Sequence, residues 1–301
     1  MQILDKMVIW SLPFIPKPIV GYFSRHYIAG SELKDAVKVI KKLNSQGIMA
    51  TMDLLGEESM SREKAREAVD EYIRILRIIR EENLDSNVSV KPTQMGLFID
   101  TEFCYQNIRD IVKEAKALNN FVRIDMEDHR ATDDTIDMYL MLKEEFGSQH
   151  VGTVIQAYLR RTSDDINRLI KEKSNLRLCK GIYVEPREIA YKDMAIINEN
   201  YKFNLEKLLK NRCYVGIATH DEKLVWHALK VIEEENLKPA EYEFQMLLGV
   251  DEQLRQIILD AGHRMRVYVP YGQEWYAYST RRLKENPKMA GYVIKRIFGL
   301  S

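Results

Sequence analysis

A regular alternation of two hydrophobic patterns is the feature that most constrains the fold of this chain. From residue 47 onward, short apolar or β-branched runs typical of strands recur between longer segments with helical periodicity. The strand-like runs are 48–55, 88–91, 121–126, 151–158, 176–184, 214–219, 242–247 and 266–269. The helix-like segments between them are 61–82, 102–118, 132–145, 164–173, 188–210, 222–235 and 251–261.

This alternation implies parallel βαβ units joined by right-handed crossovers. Eight such units in about 250 residues is the number that closes a (β/α)8 barrel. An open doubly wound sheet is the structural alternative, but no G-x-G-x-x-G motif follows the first strand. We therefore predict an α/β protein: a (β/α)8 TIM-like barrel over residues 46–301, preceded by an N-terminal helical extension over residues 1–45.

The N-terminal extension contains an apolar run that Pro13, Pro16 and Pro18 interrupt. The run is far shorter than the roughly 18 residues that a membrane-spanning helix needs, and it lacks the flanks of a signal peptide. Packing against the barrel is the expectation. The alternative is contact with a membrane surface through Trp10 and Phe14, together with the segment 289–300.

Composition excludes some classes of function. The 45 Lys and Arg residues equal the 45 Asp and Glu residues, so the strongly basic balance of a nucleic-acid binder is absent. Cys104, Cys179 and Cys213 are odd in number and widely spaced. Their pattern favours a reducing cytoplasm over secretion.

One helical segment near the end carries a charge cluster that suits a zwitterion. Arg281 and Glu285 stand at i and i+4, and Arg282 and Glu285 at i and i+3, so their side chains converge on one face. Arginine binds a carboxylate bidentately, glutamate accepts from an ammonium, and Tyr278 adds an apolar wall one turn earlier. The alternative is an ordinary solvated helix face with weak ion pairs.

Polar residues also mark the C-terminal ends of the predicted strands, where the chemistry of a barrel is located. Several charges at one rim are costly to desolvate unless they pair or bind something. The residues at this rim are Lys91, Asp125, Gln156, Arg177, Lys180, Tyr183, Thr219, His220, Gln245, Leu247 and Tyr268.

A metal site is the rival interpretation of this rim. Asp125 and Glu127 share one face of a strand, and Asp128 follows, so the three carboxylates could ligate a divalent ion. The histidines, however, are scattered, and neither H-x-H nor H-E-x-x-H occurs. Glycosidase chemistry with paired carboxylates would leave the zwitterion cluster without a purpose.

Several motifs, in order along the chain, resemble the proline dehydrogenase family in its short, monofunctional bacterial form. The resemblance runs from about residue 47 to residue 290, and the order of the motifs makes it specific. The motifs are Ser89-Val90-Lys91, Ile124-Asp125-Met126-Glu127, Gln156-Ala157-Tyr158, Arg177-Leu178-Cys179-Lys180-Gly181-Ile182-Tyr183, Ala218-Thr219-His220, Glu243-Phe244-Gln245-Met246-Leu247, Tyr268-Val269-Pro270 and Arg281-Arg282-Leu283-Lys284-Glu285-Asn286.

The resemblance implies an FAD-dependent barrel that oxidises L-proline to Δ1-pyrroline-5-carboxylate and passes electrons to a membrane quinone. It implies that Arg281 and Arg282 bind the proline carboxylate, that Glu285 and Lys91 surround the ring amine, and that Asp125 orients Arg281. The residues implied around the pyrrolidine ring are Tyr183, Leu247, Tyr268 and Tyr278. Those implied around FAD are Gln156, Arg177, Cys179, Lys180, Gly181, Thr219, His220 and Gln245.

The resemblance carries expectations about partners and alternatives. A pyrroline-5-carboxylate dehydrogenase is an expected partner, and the expected location is the cytoplasm, with contact at the inner face of the plasma membrane. Ile182 stands where the family usually has alanine, which bears on pocket size and on tolerance of substituted prolines. Hydroxyproline oxidation and a flavin-free amino-acid-binding barrel are the alternatives; a bulky Tyr268 disfavours the first.

Overall fold

Eight parallel strands close into a barrel in the computed structural model, which describes residues 21, 24–56, 58–276 and 278–279. The strands are Met49–Leu54 (β1), Ser86–Val90 (β2), Val122–Ile124 (β3), Val151–Gln156 (β4), Asn175–Cys179 (β5), Tyr214–Ala218 (β6), Tyr242–Leu247 (β7) and Met265–Tyr271 (β8). Each strand pairs in parallel with the next, and β8 pairs with β1 to complete the ring. The predicted TIM-like barrel is confirmed.

Helices connect successive strands. The α-helices with assigned bounds are Leu33–Asn44 (α1), Arg62–Glu81 (α2), Thr101–Ala117 (α3), Thr132–Phe146 (α4), Thr162–Lys171 (α5), Met194–Lys210 (α6), Glu222–Glu234 (α7) and Glu252–Asp260 (α8). Helix α1 precedes the barrel and packs against β1 and β8. In the part of the chain that the structure describes, no helix has the length and apolarity to cross a bilayer. The domain boundary at residues 45 and 46 stays a prediction.

Aspartate side chains cap several helix N-termini. Each accepts a hydrogen bond from a backbone N–H in the first turn, an interaction worth about 1 kcal/mol. The capping residues are Asp100, Asp193, Asp221 and Asp251. Because the helices run antiparallel to the strands, these capped ends lie at the C-terminal rim of the barrel.

Two predicted boundaries around residues 180–193 were wrong. The strand predicted over 176–184 ends at Cys179, and the helix predicted from 188 begins at Met194. The intervening loop is tied to the connection between β4 and α5, since Tyr191 N donates to Tyr158 O at 2.8 Å and Ala190 forms a bridge with Leu159. These long-range bonds hold residues 188–193, which have a helical pattern, in a turn and an isolated bridge instead of a helix.

The two faces of the barrel strands differ in chemistry. Outward residues pack with the helices in one apolar core that includes Tyr72 of α2, Tyr139 of α4 and Tyr201 of α6, all fully buried. Inward residues are largely polar, as contacts between non-neighbouring strands show: Arg177 on β5 reaches both β3 and β7. A TIM barrel interior is usually filled by branched apolar side chains. This one is filled by a hydrogen-bonded network.

The segment 24–30 is docked beside the C-terminal rim. Ala29 N donates to Pro270 O at 2.9 Å, and Gly272 N donates to Gly30 O at 3.0 Å. A small apolar cluster supports these bonds; its members are Tyr27, Ile28, Leu55, Trp275 and Tyr278. The loop after β7 also contacts this segment, because a Cβ on Gly249 would lie 1.8 Å from the carbonyl oxygen of His26.

We predict that Gly249→Ala undocks this segment, whereas Gly262→Ala does not. Both glycines have left-handed φ angles, +70° and +86°, but nothing lies within 4 Å of a Cβ built on Gly262. Gly262→Ala should therefore lower the unfolding free energy only by the backbone strain, about 1 kcal/mol, and Gly249→Ala should lower it clearly more. Urea unfolding measures both losses, and tryptic cleavage after Arg25 reports undocking. Equal losses with equal cleavage would contradict the prediction.

Candidate functional site

The C-terminal ends of the strands surround a cavity of about 670 Å³. Its size lies within the range of cofactor and small-molecule sites. The predicted site residues that line it are Lys91, Asp125, Gln156, Arg177, Cys179, Lys180, Gly181, Tyr183, Thr219, His220, Gln245, Leu247, Tyr268 and Tyr278. Barrel closure thus brings these residues together. Arg281, Arg282 and Glu285 lie outside the described residues.

The cavity floor consists of Asp53, Lys91, Asp125, Arg177 and Tyr268, which line the cavity from the strand ends. Asp125 accepts three side-chain hydrogen bonds there. Its Oδ1 accepts from Arg177 Nη1 at 2.7 Å and from Ser89 Oγ at 2.6 Å, and its Oδ2 accepts from the Tyr268 hydroxyl at 2.9 Å. The Arg177 guanidinium also lies over the Tyr268 ring, 5.2 Å from its centroid. Burial and the nearby charge of Asp125 raise the pKa of Tyr268, so this hydroxyl stays a neutral donor.

A second ion pair, between Lys91 and Asp53, lies on the same floor. Burial alone would lower the pKa of Lys91, but the charges of Asp53 and Asp125 outweigh it, and the pKa is raised. Lys91 is therefore a cation at neutral pH. Asp53 is buried, and its Oδ2 has no hydrogen-bond partner among the described residues.

Sequence reasoning missed Asp53. The signal was available: Asp53 is an acidic residue near the end of the otherwise uncharged strand β1, at the level where the other polar rim residues occur. Such a residue in a fully covered parallel strand requires a partner inside the barrel.

The three carboxylates considered for a metal site have separate partners. Glu127 accepts from both the backbone and the side chain of Thr93, at 2.8 and 2.7 Å. Asp128 pairs with Arg130 at 2.7 Å, whereas Asp125 pairs with Arg177. Burial raises the pKa of Glu127, against the hydrogen bonds from Thr93.

Gln156 is oriented by the same region of the chain. Its Nε2 donates to Glu127 O at 2.8 Å, so the amide nitrogen is directed toward the backbone after β3. Its Oε1 is then the atom left to accept a hydrogen bond from a ligand in the cavity.

The opposite side of the rim is formed after β5, β6 and β7. Lys180 pairs with Asp221 at 2.8 Å, and Asp221 also caps α7, a second link that sequence reasoning missed. His220 Nε2 accepts from Leu247 N at 2.9 Å, so this nitrogen carries no proton. Burial raises the pKa of Cys179 to about 11, which keeps the thiol protonated and excludes it as a nucleophile at neutral pH.

Ile182 lies at the mouth of the cavity. Its side chain lines the cavity while the residue remains 47% exposed, next to the fully exposed Val184. The extra bulk relative to alanine is therefore located at the entrance and partly in solvent.

The floor continues into the barrel through Gln245 and Glu243. Arg177 Nε donates to Gln245 Oε1 at 2.6 Å, and Gln245 Nε2 donates to Glu243 Oε1 at 2.6 Å. Glu243 in turn pairs with Arg266 at 2.7 Å and accepts from the Tyr214 hydroxyl at 2.8 Å. The burial of Glu243 would raise its pKa, but the charge and hydrogen bonds of Arg266, with those of Tyr214 and Gln245, lower the pKa to about 2.

The fold and the site define a TIM-barrel protein with a cavity at the C-terminal rim that charged side chains line. The family model for proline dehydrogenase matches residues 36–295. Proline dehydrogenase 2 of Bacillus subtilis (strain 168) is 38% identical over 268 residues, which is 89% of this chain and 88% of that protein. Proline dehydrogenase of Deinococcus radiodurans is 34% identical over 275 residues, 90% and 89% of the two chains.

The chain belongs to the proline dehydrogenase family, and it is an enzyme with that activity. Among solved structures, proline utilization A (PutA) from Bdellovibrio bacteriovorus, inactivated by N-propargylglycine, is similar with a TM-score of 0.83 and 26% identity. The match covers 88% of this chain and 32% of that one. This chain therefore spans about a third of that longer protein and matches the single-activity relatives over nearly their whole length.

We predict that Glu243 stabilises the fold in a pH-dependent way. Because its pKa falls from an ordinary 4.5 to about 2, its contribution is complete above pH 4.5 and is lost as the pH falls toward 2. Wild type should exceed Glu243→Gln in unfolding free energy by about 3 kcal/mol at pH 5.5, and the gap should narrow by about 1 kcal/mol at pH 3.5.

Urea unfolding at the two pH values measures this gap. Glu199→Gln is the matched control, because Glu199 is an exposed partner of Lys202 and should give a small gap at both pH values. A gap for Glu243→Gln that stays constant or widens in acid would show that the carboxylate is not held ionised by its partners.

Proposed function

We propose that this enzyme uses FAD to oxidise L-proline to Δ1-pyrroline-5-carboxylate and passes the electrons to a quinone. The observation that carries the proposal is the cavity floor, where the ion pairs Lys91–Asp53 and Asp125–Arg177 lie side by side in a chain of this family. Bound FAD would supply the redox chemistry by accepting a hydride from the substrate ring.

The donor set of the cavity fits FAD. The cavity is several times larger than a single amino acid needs. Arg177 brings a buried cation suited to a reduced, anionic ring, and Gln156 keeps a free acceptor for a ring N–H. Lys180, paired with Asp221 at the N-terminus of α7, is proposed to contact the chain of the cofactor. The other residues proposed to contact the cofactor are Cys179, Gly181, Thr219, His220 and Gln245.

Proline would lie between this floor and the residues that follow β8. Arg281 and Arg282, with Glu285, are proposed to bind the carboxylate and amine, and two charged clamps leave little orientational entropy to be lost at the transition state. Tyr183, Leu247, Tyr268 and Tyr278, which line the cavity, are proposed to enclose the apolar ring. Asp125 is committed to three donors in the described structure, and its proposed orientation of Arg281 would come in addition to these.

Lys91 is proposed to favour the neutral form of the substrate amine. Proline is protonated at neutral pH, whereas hydride loss from the ring requires the nitrogen lone pair. A lysine kept cationic by Asp53 opposes a second cation nearby, so it assists loss of the ammonium proton.

Electron delivery to a quinone is proposed to occur at a membrane surface. Trp10, Phe14 and the segment 289–300 are the candidate contacts, and they lie outside the described residues. Co-sedimentation with liposomes tests the contact; equal pelleting of wild type and a variant lacking residues 1–20 would exclude the N-terminus. A pyrroline-5-carboxylate dehydrogenase, which consumes the product, is the proposed partner.

Anaerobic addition of substrate to purified protein tests the proposed function. We expect visible flavin absorption that L-proline bleaches and a soluble quinone analogue restores, with hydroxyproline and D-proline much slower. A colourless protein that binds proline would instead be a flavin-free binder, and faster bleaching by hydroxyproline would reassign the substrate. Repeating the titration between about pH 6 and pH 9 tests the proposed role of Lys91 in deprotonating the substrate amine. The rate of bleaching should rise with pH, and a rate independent of pH would contradict this role.

We predict that Arg281→Ala and Arg282→Ala each lower kcat/KM for proline by about 30-fold or more. The reason is the loss of a charge-assisted, bidentate bond in a water-poor site, on the order of 2 to 4 kcal/mol. Arg281→Lys and Arg282→Lys keep the positive charge but lose the bidentate guanidinium, so their kcat/KM should lie between those of wild type and the alanine variants. Arg168→Ala removes an exposed partner of Asp137 and is the control. Wild-type kcat/KM in both alanine variants would show that the cluster is an ordinary solvated helix face and does not bind the substrate.

A further inference from the structure

The orientation of the Gln245 amide is dictated by a buried carboxylate. Glu243 and Gln245 lie two residues apart on β7 and so share one face of the strand. Because Glu243 is ionised and can only accept, the amide N–H must face it, and the amide oxygen must face away. Arg177 Nε meets that oxygen at 2.6 Å. Glu243 therefore ensures that the Gln245 amide presents its oxygen, and not its N–H group, to the Arg177 guanidinium.

A glycine makes room for this contact across an intervening strand. Arg177 is on β5 and Gln245 on β7, and Gly216 of β6 is in register with Arg177 on one side and with Glu243 on the other. A Cβ on Gly216 would lie 2.4 Å from Gln245 Nε2 and 2.9 Å from its Cδ. The amide therefore passes over Gly216. The φ angle of Gly216 is outside the left-handed region, so alanine is compatible with the backbone there, and the three atoms nearest to its Cβ would all belong to the Gln245 amide.

We propose that Glu243, Gln245 and Gly216 are positioning residues that hold Arg177 at the floor of the cavity. Gln245 fixes the guanidinium at Nε, Asp125 fixes it at Nη1, and the ring of Tyr268 fixes its plane. Gln245 is on β7 and Tyr268 on β8, and Asp125 directly follows β3. Arg177 is thereby held in place before any ligand binds.

The consequence for catalysis rests on the proposed function. A cation held rigidly at the floor stabilises negative charge that develops above it, without reorganisation during the reaction. A guanidinium released by Gln245 would turn toward other acceptors and lose part of this effect. The reduction potential of the bound flavin should therefore depend on Gly216, although Gly216 has no side chain to touch a ligand.

The test compares Gly216→Ala with wild type in every measurement, and Gln245→Leu in the NMR measurement alone, because Gln245 is itself proposed to contact the cofactor. Ile217→Val is the matched control, because Ile217 is the next residue on β6, buried on the opposite face in the core outside the barrel. Exchange of the Arg177 Nε–H is followed by nitrogen-15 NMR and assigned by its absence in Arg177→Lys. The flavin potential is measured by chemical reduction, which requires no proline, and kcat and KM are measured with proline.

We expect Nε–H protection to fall by at least about tenfold in both test variants and to remain in Ile217→Val. In Gly216→Ala the potential should become more negative, and kcat should fall by about tenfold or more with little change in KM. A lower Tm with wild-type protection, potential and kcat would overturn the proposal and leave only a structural network. Lost protection with unchanged potential would overturn its link to catalysis. If proline does not reduce the wild-type flavin, the proposed function fails, while the NMR comparison still decides whether Arg177 is positioned.

Discussion

The pairing of buried charges inside the barrel is the constraint on which the rest of this structure depends. Arg177 has acceptors on β3 and β7, Glu243 has donors on β6 and β8, and Lys91 has Asp53 on β1. Desolvating each charge costs several kcal/mol, which only close, well-directed partners offset. Removal of one partner leaves the other buried and unpaired. The charges are therefore stable in the interior only when the strands close in the one register that brings all the partners together.

This constraint also orders the floor of the cavity more closely than its walls. The floor of the cavity consists of side chains on strands or directly after them, each bonded to a partner from a different strand end, whereas the walls include residues 180–183 of the loop after β5 and Tyr278 after β8. A floor that is ordered in advance can direct charge at a developing transition state without reorganising. The walls can vary in shape and still leave that electrostatic arrangement unchanged. Ile182 illustrates the difference, because a larger residue there is accommodated partly in solvent.

Local pattern predicted the barrel but failed where long-range bonds replaced local preference. The period of apolar residues located all eight strands, since a parallel strand covered on both faces needs a short, continuous apolar run. It failed over residues 180–193: the strand predicted to 184 ends at Cys179, and the helical pattern from 188 is overridden by the bonds of Tyr191 and Ala190 to the connection after β4. It marked Asp53 only as an acidic residue that needs a partner inside the barrel; closure of the ring decided that this partner is Lys91.

The sequence by itself determined the alternation of strands and helices, the rim position of the polar residues and the similarity to proline dehydrogenases. All three are properties of residue order and spacing, and so they can be recognised in the sequence alone. Only the tertiary structure decided the partners: Arg177 with Gln245, 68 positions away, Tyr268 with Asp125, 143 positions away, and Gly216 as the gap over which the amide passes. Closure of the barrel brings strands that are distant in the chain to within one hydrogen bond, and hydrogen bonds depend on distance and angle, not on sequence order.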